Sequence, residues 1–268
     1  MNNDDIKFLT AEFQNAMNQV ENDKFCIDML QRKFAHSSRV LQNGIRIIEH
    51  DLPGLLKQPQ LLKLCKQSLF FHDIGRFQET VQIHKSKTKN WREKLPDHGV
   101  LGAEILAQNT NYNDIRMVLA VRHHGHLIED FYNDPDFQNL SAIDQSQAEI
   151  MIKLIRDADK LDLYYLQKND DSIKKDVFFI KLTDEQKYGS ISSEVLDCFL
   201  KFQPINHSLR KTFADRIIGR ISWQFDFNYE LTKQLYIKEG YQQMLFDLLA
   251  EYCPDKKAVD EIIKFSQL

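Results

Sequence analysis

The sequence predicts an all-α protein, and three observations predict it. Apolar side chains recur at helical spacing over most of the chain, as along Phe25, Met29, Phe34, Val40, Leu41, Ile45 and Ile48. Glycine and proline are scarce, 9 and 6 copies in 268 residues, too few for the many turns of a β-sandwich. No internal repeat, low-complexity tract or long linker interrupts the pattern.

Residues 24–50 carry this periodicity as one long helix or two. Residues 60–74 form the next apolar helix, ending in FFHDI and stopped by Gly75, since glycine is favoured just past a helix end. Asp97 is placed to cap a third helix through about Asn109, its carboxylate accepting from a free N–H of the first turn. Asn113 is placed likewise before NDIRMVLAVRHH, and a fifth helix runs from about Gln145 to Lys168. Between the second and third helices, residues 76–97 hold Arg76, His84, Lys85, Lys87, Lys89, Arg92 and Lys94. This basic stretch reads as a solvated loop or as a lid that attracts phosphate. Residues 129–136, EDFYNDPD, read as an acidic surface loop.

After residue 170 the character changes. KKDVFFIKL is compatible with extended or helical backbone, and helical segments follow at roughly 192–203, 210–225, 229–249 and 255–266. Thr212 with Asp215, and Asp255 after Pro254, mark helix starts. None of these segments carries a dense set of ligands. The expected organisation is therefore residues 1–170 as the chemical domain and 171–268 as a helical extension packed on it, or one single domain. The extension would serve packing, substrate shaping or oligomer contact.

Composition narrows the function classes. Hydrophobic residues are 43% and charged residues 28%, ordinary for a soluble globular protein. No run of about 18 apolar residues is present to span a bilayer. The start, MNNDDIKFLT, is polar and acidic, unlike a secretory signal, so a cytoplasmic location is expected. Cys26, Cys65, Cys198 and Cys253 are far apart and form no CxxC pair, which reads as free thiols in helix interiors. A net charge of -4 argues against binding a nucleic-acid polymer and leaves room for a small anionic substrate held by local cations. Trp91 and Trp223 read as core.

The chemistry-bearing residues are His36, the pair His72-Asp73, His98, the pair His123-His124, and Asp157 and Asp159 in RDADKLD. All lie on or beside apolar helical segments, and imidazole with carboxylate suits divalent transition metals. Adjacent helical residues point about 100° apart, so His72 and Asp73 share a target only at a helix end. An aspartate offers two oxygens and can bridge two ions, whereas histidine gives one nitrogen to one ion. A first ion would take His36, His72, Asp73 and an aspartate of RDADKLD. A second would share Asp73 and take His98 with His123 or His124. Two ions about 3.5–4 Å apart can activate a bridging water for phosphoryl displacement. Periodicity places Asp157 and Asp159 on comparably apolar faces and does not choose between them.

Taken together, FFHDIGRF followed by DADKLD resembles the HD-domain superfamily, whose pattern is H…HD…D on a helical bundle. The matching residues are His36, His72-Asp73 and Asp159, the last because the pattern ends in an Ala-Asp dipeptide. The resemblance covers about residues 25–170 and implies an HD-domain helical bundle with additional C-terminal helices. Two-metal members add histidines between the HD pair and the last aspartate. His98 in PDHGVLGAEIL resembles the first, and AVRHH maps the second onto His124, leaving His123 as its neighbour or a substrate contact.

The resemblance implies a metal-dependent phosphohydrolase acting on a phosphate ester, such as a nucleotide or other small phosphorylated compound. Its cofactor would be one or two ions of Mn, Fe, Co, Zn or Mg. Asp73, His98 and His124 are then the catalytic candidates, and Arg76, His123 and Lys160 the substrate-binding ones. Arg76 can hold phosphate bidentately, and Asp157 is a candidate to orient a ligand histidine. GHLIED follows the His pair in place of the GYP signature, which disfavours cyclic di-GMP hydrolysis. The same ligands also resemble the mixed-valent di-iron oxygenases of this superfamily, and a non-catalytic nucleotide-binding module is a third reading.

Overall fold

Helix-capping side chains set most of the helix starts. The computed structural model describes residues 1–86 and 96–267, apart from the Asp176 side chain, and these are all-α with no strand among them. They divide into two units, Met1–Asp159 and Lys160–Leu268.

In the first unit, α1 (Asn3–Gln19) opens on a reciprocal cap in which the Asn2 side chain bonds the Asp5 N–H and the Asp5 carboxylate accepts from the Asn2 N–H. This polar, acidic start is thus a helix, and it buries Leu9 and Ala16. Phe8 stacks on Tyr112 at 4.6 Å between ring centres and meets Phe71 edge-on. Residues 24–50 form one helix, α2 (Lys24–Asp51), capped by Asp23. A 3₁₀ turn over Pro53–Lys57 leads into α3 (Pro59–Phe71).

Gly75 does not follow the end of α3 as a left-handed cap; it begins α4 (Gly75–Ser86), whose run includes Arg76, His84 and Lys85. Its lack of a side chain serves close approach instead. A Cβ there would lie 2.0 Å from the His98 carbonyl oxygen and 2.5 Å from the Gly102 nitrogen. The basic stretch is therefore helical through Ser86, while Lys87, Lys89, Trp91, Arg92 and Lys94 lie outside the described residues.

α5 (His98–Ala107) is capped by Asp97 as expected and packs on α4 and on α6 (Ile115–His123). The cap of α6 is Asp114, not Asn113: its carboxylate accepts from the Arg116 N–H at 3.0 Å. Residues 129–136 are not a loop. They form α7 (Ile128–Tyr132) and enter α8 (Pro135–Gln138), burying Phe131 and Phe137 against each other. α9 (Ala142–Asn169) completes the unit and runs on past its boundary.

The second unit contains α10 (Asp171–Phe178), so KKDVFFIKL is helical through Phe178. The short α11 (Asp184–Lys187) and α12 (Ser193–Leu200) follow. α13 (Phe213–Ile221) starts at the Thr212–Asp215 box, and the buried Asp215 also accepts from Ser192. The segment at 229–249 is two helices, α14 (Glu230–Lys238) and α15 (Tyr241–Tyr252). They are split at Gly240, whose φ of +70° a β-carbon would strain. α16 (Lys256–Ser266) is capped by Asp255. Tyr164, Trp223, Tyr236 and Tyr241 pack together in this unit's core. The four cysteines are free thiols, although Cys253 lies just past α15 rather than inside a helix. No helix among the described residues is long and apolar enough to cross a membrane.

Candidate metal centre

α3 stops at Phe71, and His72-Asp73-Ile74 make the turn into α4, with the Ile74 N–H donating to the Phe71 carbonyl at 2.9 Å. This turn lets two neighbouring side chains address one point. Around Asp73 gather His36 from α2, His98 from the first turn of α5, His124 just past α6, and Asp159 from α9.

The two oxygens of Asp73 face different partners. Oδ2 lies 3.4 Å from His36 Nε2 and 3.7 Å from His72 Nε2, and Asp159 Oδ1 closes that group at 3.1 Å from His36 Nε2. Oδ1 lies 3.4 Å from His98 Nε2 and 3.6 Å from His124 Nε2. Within each group the imidazoles touch: His36 and His72 Nε2 are 3.2 Å apart, and His98 and His124 Nε2 are 3.1 Å apart.

Hydrogen bonding on the far side of the rings fixes what these nitrogens can be. His72 Nδ1 meets the Leu69 carbonyl at 2.9 Å and His124 Nδ1 the Val121 carbonyl at 2.7 Å. A carbonyl only accepts, so both Nδ1 atoms carry hydrogen, and the neutral form of either ring turns a lone pair inward at Nε2. His98 Nδ1 faces the Asp97 carboxylate at 3.4 Å, with the same consequence. Asp97 therefore both caps α5 and orients His98, while its other oxygen faces His126 Nε2 at 3.4 Å.

Electrostatics point the same way. Burial lowers the pKa of His72 to about 3, and burial lowers that of His98 as well, so both rings are neutral at physiological pH. Burial opposes charge on Asp73, but the neighbouring cations Lys33 and Arg76 favour the ionised carboxylate and its pKa is lowered. Asp159 is likewise lowered against burial, by its bond to His36. Lone pairs on nitrogen facing one another and carboxylate oxygens repel unless a cation lies among them. The donor set of imidazoles and carboxylates therefore fits divalent ions, with His36, His72, Asp159 and one Asp73 oxygen for one ion, and His98, His124 and the other oxygen for a second.

Residues 34–164 match the family model for the HD domain, a stretch that contains all six of these residues. These residues belong to the HD-domain family. No curated protein and no solved structure gave a match to the chain. HD domains are helical and bind divalent metals, in keeping with the bundle and the cluster found here.

The other candidate residues of this HD domain have protein partners of their own. His123 turns away from Asp73 and bonds Asp134 Oδ2 at 2.6 Å, beside Arg122. Arg76 sits at the cluster, its Nε 3.4 Å from Asp73 Oδ1, with Nη1 held by both oxygens of Glu79. In the second unit Lys160 donates to the carboxylate and carbonyl of Asp226, at 2.5 and 3.0 Å. Asp157 is fully buried.

Several residues that support the site escaped the sequence reading. Lys33 lies 2.8 Å from Asp73 Oδ2. Arg156 donates to the carbonyls of His124 and His126, pinning the chain just after α6. Their one sequence signal is spacing: Lys33 precedes His36, and Arg156 precedes Asp159, by three residues on a helix, which puts each pair on one face. A separate group, Asp23, Cys26 and His84, is satisfied within itself. Asp23 caps α2 through the Cys26 N–H and pairs with His84, and burial pushes the Cys26 thiol up to about 12.

Proposed function

We propose that the protein is a metal-dependent phosphohydrolase that cleaves a small phosphorylated compound, a nucleotide or similar ester, with metal-activated water. The observation that carries this reading is the division of the Asp73 carboxylate between two groups of inward-facing imidazoles. His36, His72, Asp73 and Asp159 would hold one divalent ion, and Asp73, His98 and His124 a second. Such ions supply a water of lowered pKa and polarise phosphoryl oxygens.

The protein's own groups prepare that chemistry. The carbonyls of Leu69 and Val121 keep His72 and His124 in the tautomer that presents Nε2. Asp97 does the same for His98. The side chains of His36, His72, Asp73 and His124 are at most 4% exposed, whereas Asp159 is 23% exposed and marks where solvent and substrate reach the cluster. Arg76 and Lys33, both partly exposed, add positive charge beside Asp73 and favour an anionic substrate over a neutral one.

Protein loaded with Mn²⁺, Fe²⁺ or Co²⁺ is expected to release phosphate from members of a panel of nucleotides and model esters, without substrate-dependent oxygen uptake. Full metal occupancy with no turnover across the panel, or turnover that consumes oxygen, would contradict the reading.

A further inference from the structure

We propose that Lys33 is the residue that anchors the substrate's phosphoryl group, and that it tunes the site toward dianionic phosphate monoesters. This rests on the phosphohydrolase reading above. Two side-chain cations stand against Asp73, one on each oxygen: Lys33 Nζ at 2.8 Å from Oδ2 and Arg76 Nε at 3.4 Å from Oδ1. They differ in how many carboxylates they face. The Arg76 guanidinium donates through Nη1 to both oxygens of Glu79 at 3.1 and 2.8 Å and also lies beside Asp73, to which its Nε makes no hydrogen bond. The Lys33 ammonium, among the described residues, donates to Asp73 alone.

An ammonium has three N–H groups, so two remain for an incoming anion. Lys33 is also within reach of one. Its side chain is 27% exposed, whereas the Asp73 it touches is 4% exposed, so an anion entering the centre meets the lysine before the carboxylate. Position along α2 fixes it further. Lys33 is three residues from His36 on one helix face, so ammonium and imidazole address the same oxygen of Asp73. Lysine is a point charge on a flexible stem and can follow a phosphoryl oxygen while staying near Asp73.

The charge of the ligand follows from this arrangement. Two divalent ions would more than balance the two carboxylates that hold them, and Lys33 adds another positive charge beside Asp73. A phosphate monoester carries nearly two negative charges at neutral pH, with its second pKa near 6; a diester carries one. The monoester gains more from the same ammonium.

The test uses the full-length, Mn²⁺-loaded protein, with inorganic phosphate as the binding probe and an aryl phosphate monoester and an aryl phosphodiester as substrates. Lys33→Met is expected to keep its metal content and to bind phosphate about tenfold or more weakly. KM for the monoester should rise in step, with a smaller change in kcat and a smaller rise in KM for the diester. Lys33→Arg should recover most of the phosphate affinity. Should Lys33→Met fail to fold, Lys33→Gln is read in the same way. Unchanged phosphate affinity with metal retained, or loss of metal from both variants, would overturn the assignment, the latter because Lys33 would then serve Asp73. A wild-type protein that binds metal and phosphate but hydrolyses no ester would sink the phosphohydrolase reading, while the phosphate affinities of the variants would still decide the role of Lys33.

Discussion

His98 Nε2 stands 3.1 Å from His124 Nε2, and each ring directs its Nδ1 at an oxygen behind it, which in the neutral form leaves Nε2 with a lone pair and no hydrogen. Two imidazoles turned Nε2 to Nε2, both facing one oxygen of Asp73, form a cation site set by the groups behind the rings. The carbonyls and the carboxylate behind the rings thus matter as much as the rings.

Asp97→Asn tests that point. Asparagine caps a helix about as well as aspartate, so α5 should persist. The amide nitrogen, however, would replace the oxygen that faces His98 Nδ1 and favour the tautomer with hydrogen on Nε2. Affinity for the ion at His98 and His124 should fall about 10- to 100-fold, as for other outer partners of metal ligands. Chelator competition measures it, and an unchanged affinity would mean Asp97 acts only as a cap.

Gly75→Ala should disturb fold and site together. The new Cβ would meet the His98 carbonyl oxygen at 2.0 Å and the Gly102 nitrogen at 2.5 Å, both of them backbone atoms. α4 and α5 must therefore separate, at a cost of roughly 1–3 kcal/mol, the range for overpacking. Thermal unfolding should show a lowered Tm, and metal binding at His98 should weaken in the same variant. A Tm equal to wild type would place the helices less tightly than found here.

The metal-free protein should lose stability as pH falls from about 6.5. His72 is lowered by burial to about 3, so between these values the unfolded chain takes up a proton there that the folded one refuses. One such histidine contributes at most about 1.4 kcal/mol per pH unit in that window. His98 is lowered and adds to the slope, whereas His126, raised by its bond to Asp97, opposes it. Chemical denaturation of the chelator-treated protein between pH 7 and 5 measures the slope. His72→Asn should flatten it; an equal slope would show that His72 titrates normally.

Much of this site was legible because its residue types are conspicuous. Histidines and aspartates on apolar helices need a reason to be there, and His36, His72, Asp73, His98, His124 and Asp159 do converge. The residues around them were harder to read. Lys33 looks like any solvated lysine until α2 is set against Asp73, and Asp97 looks like a cap and nothing more until His98 is seen to lean on it. Gly75 misled because glycine suits both a left-handed helix end and a close helix contact, and local sequence does not separate the two. EDFYNDPD read as a loop because its charges hide Phe131, which the chain buries. Tertiary packing, not local pattern, decides each of these.

The most direct test of the metal centre is anomalous diffraction from crystals of the Mn²⁺-loaded protein. Two peaks about 3.5–4 Å apart are expected, one among His36, His72 and Asp159, the other between His98 and His124, with Asp73 reaching both. Manganese bound elsewhere, or none at these residues in protein shown to be folded, would contradict the account.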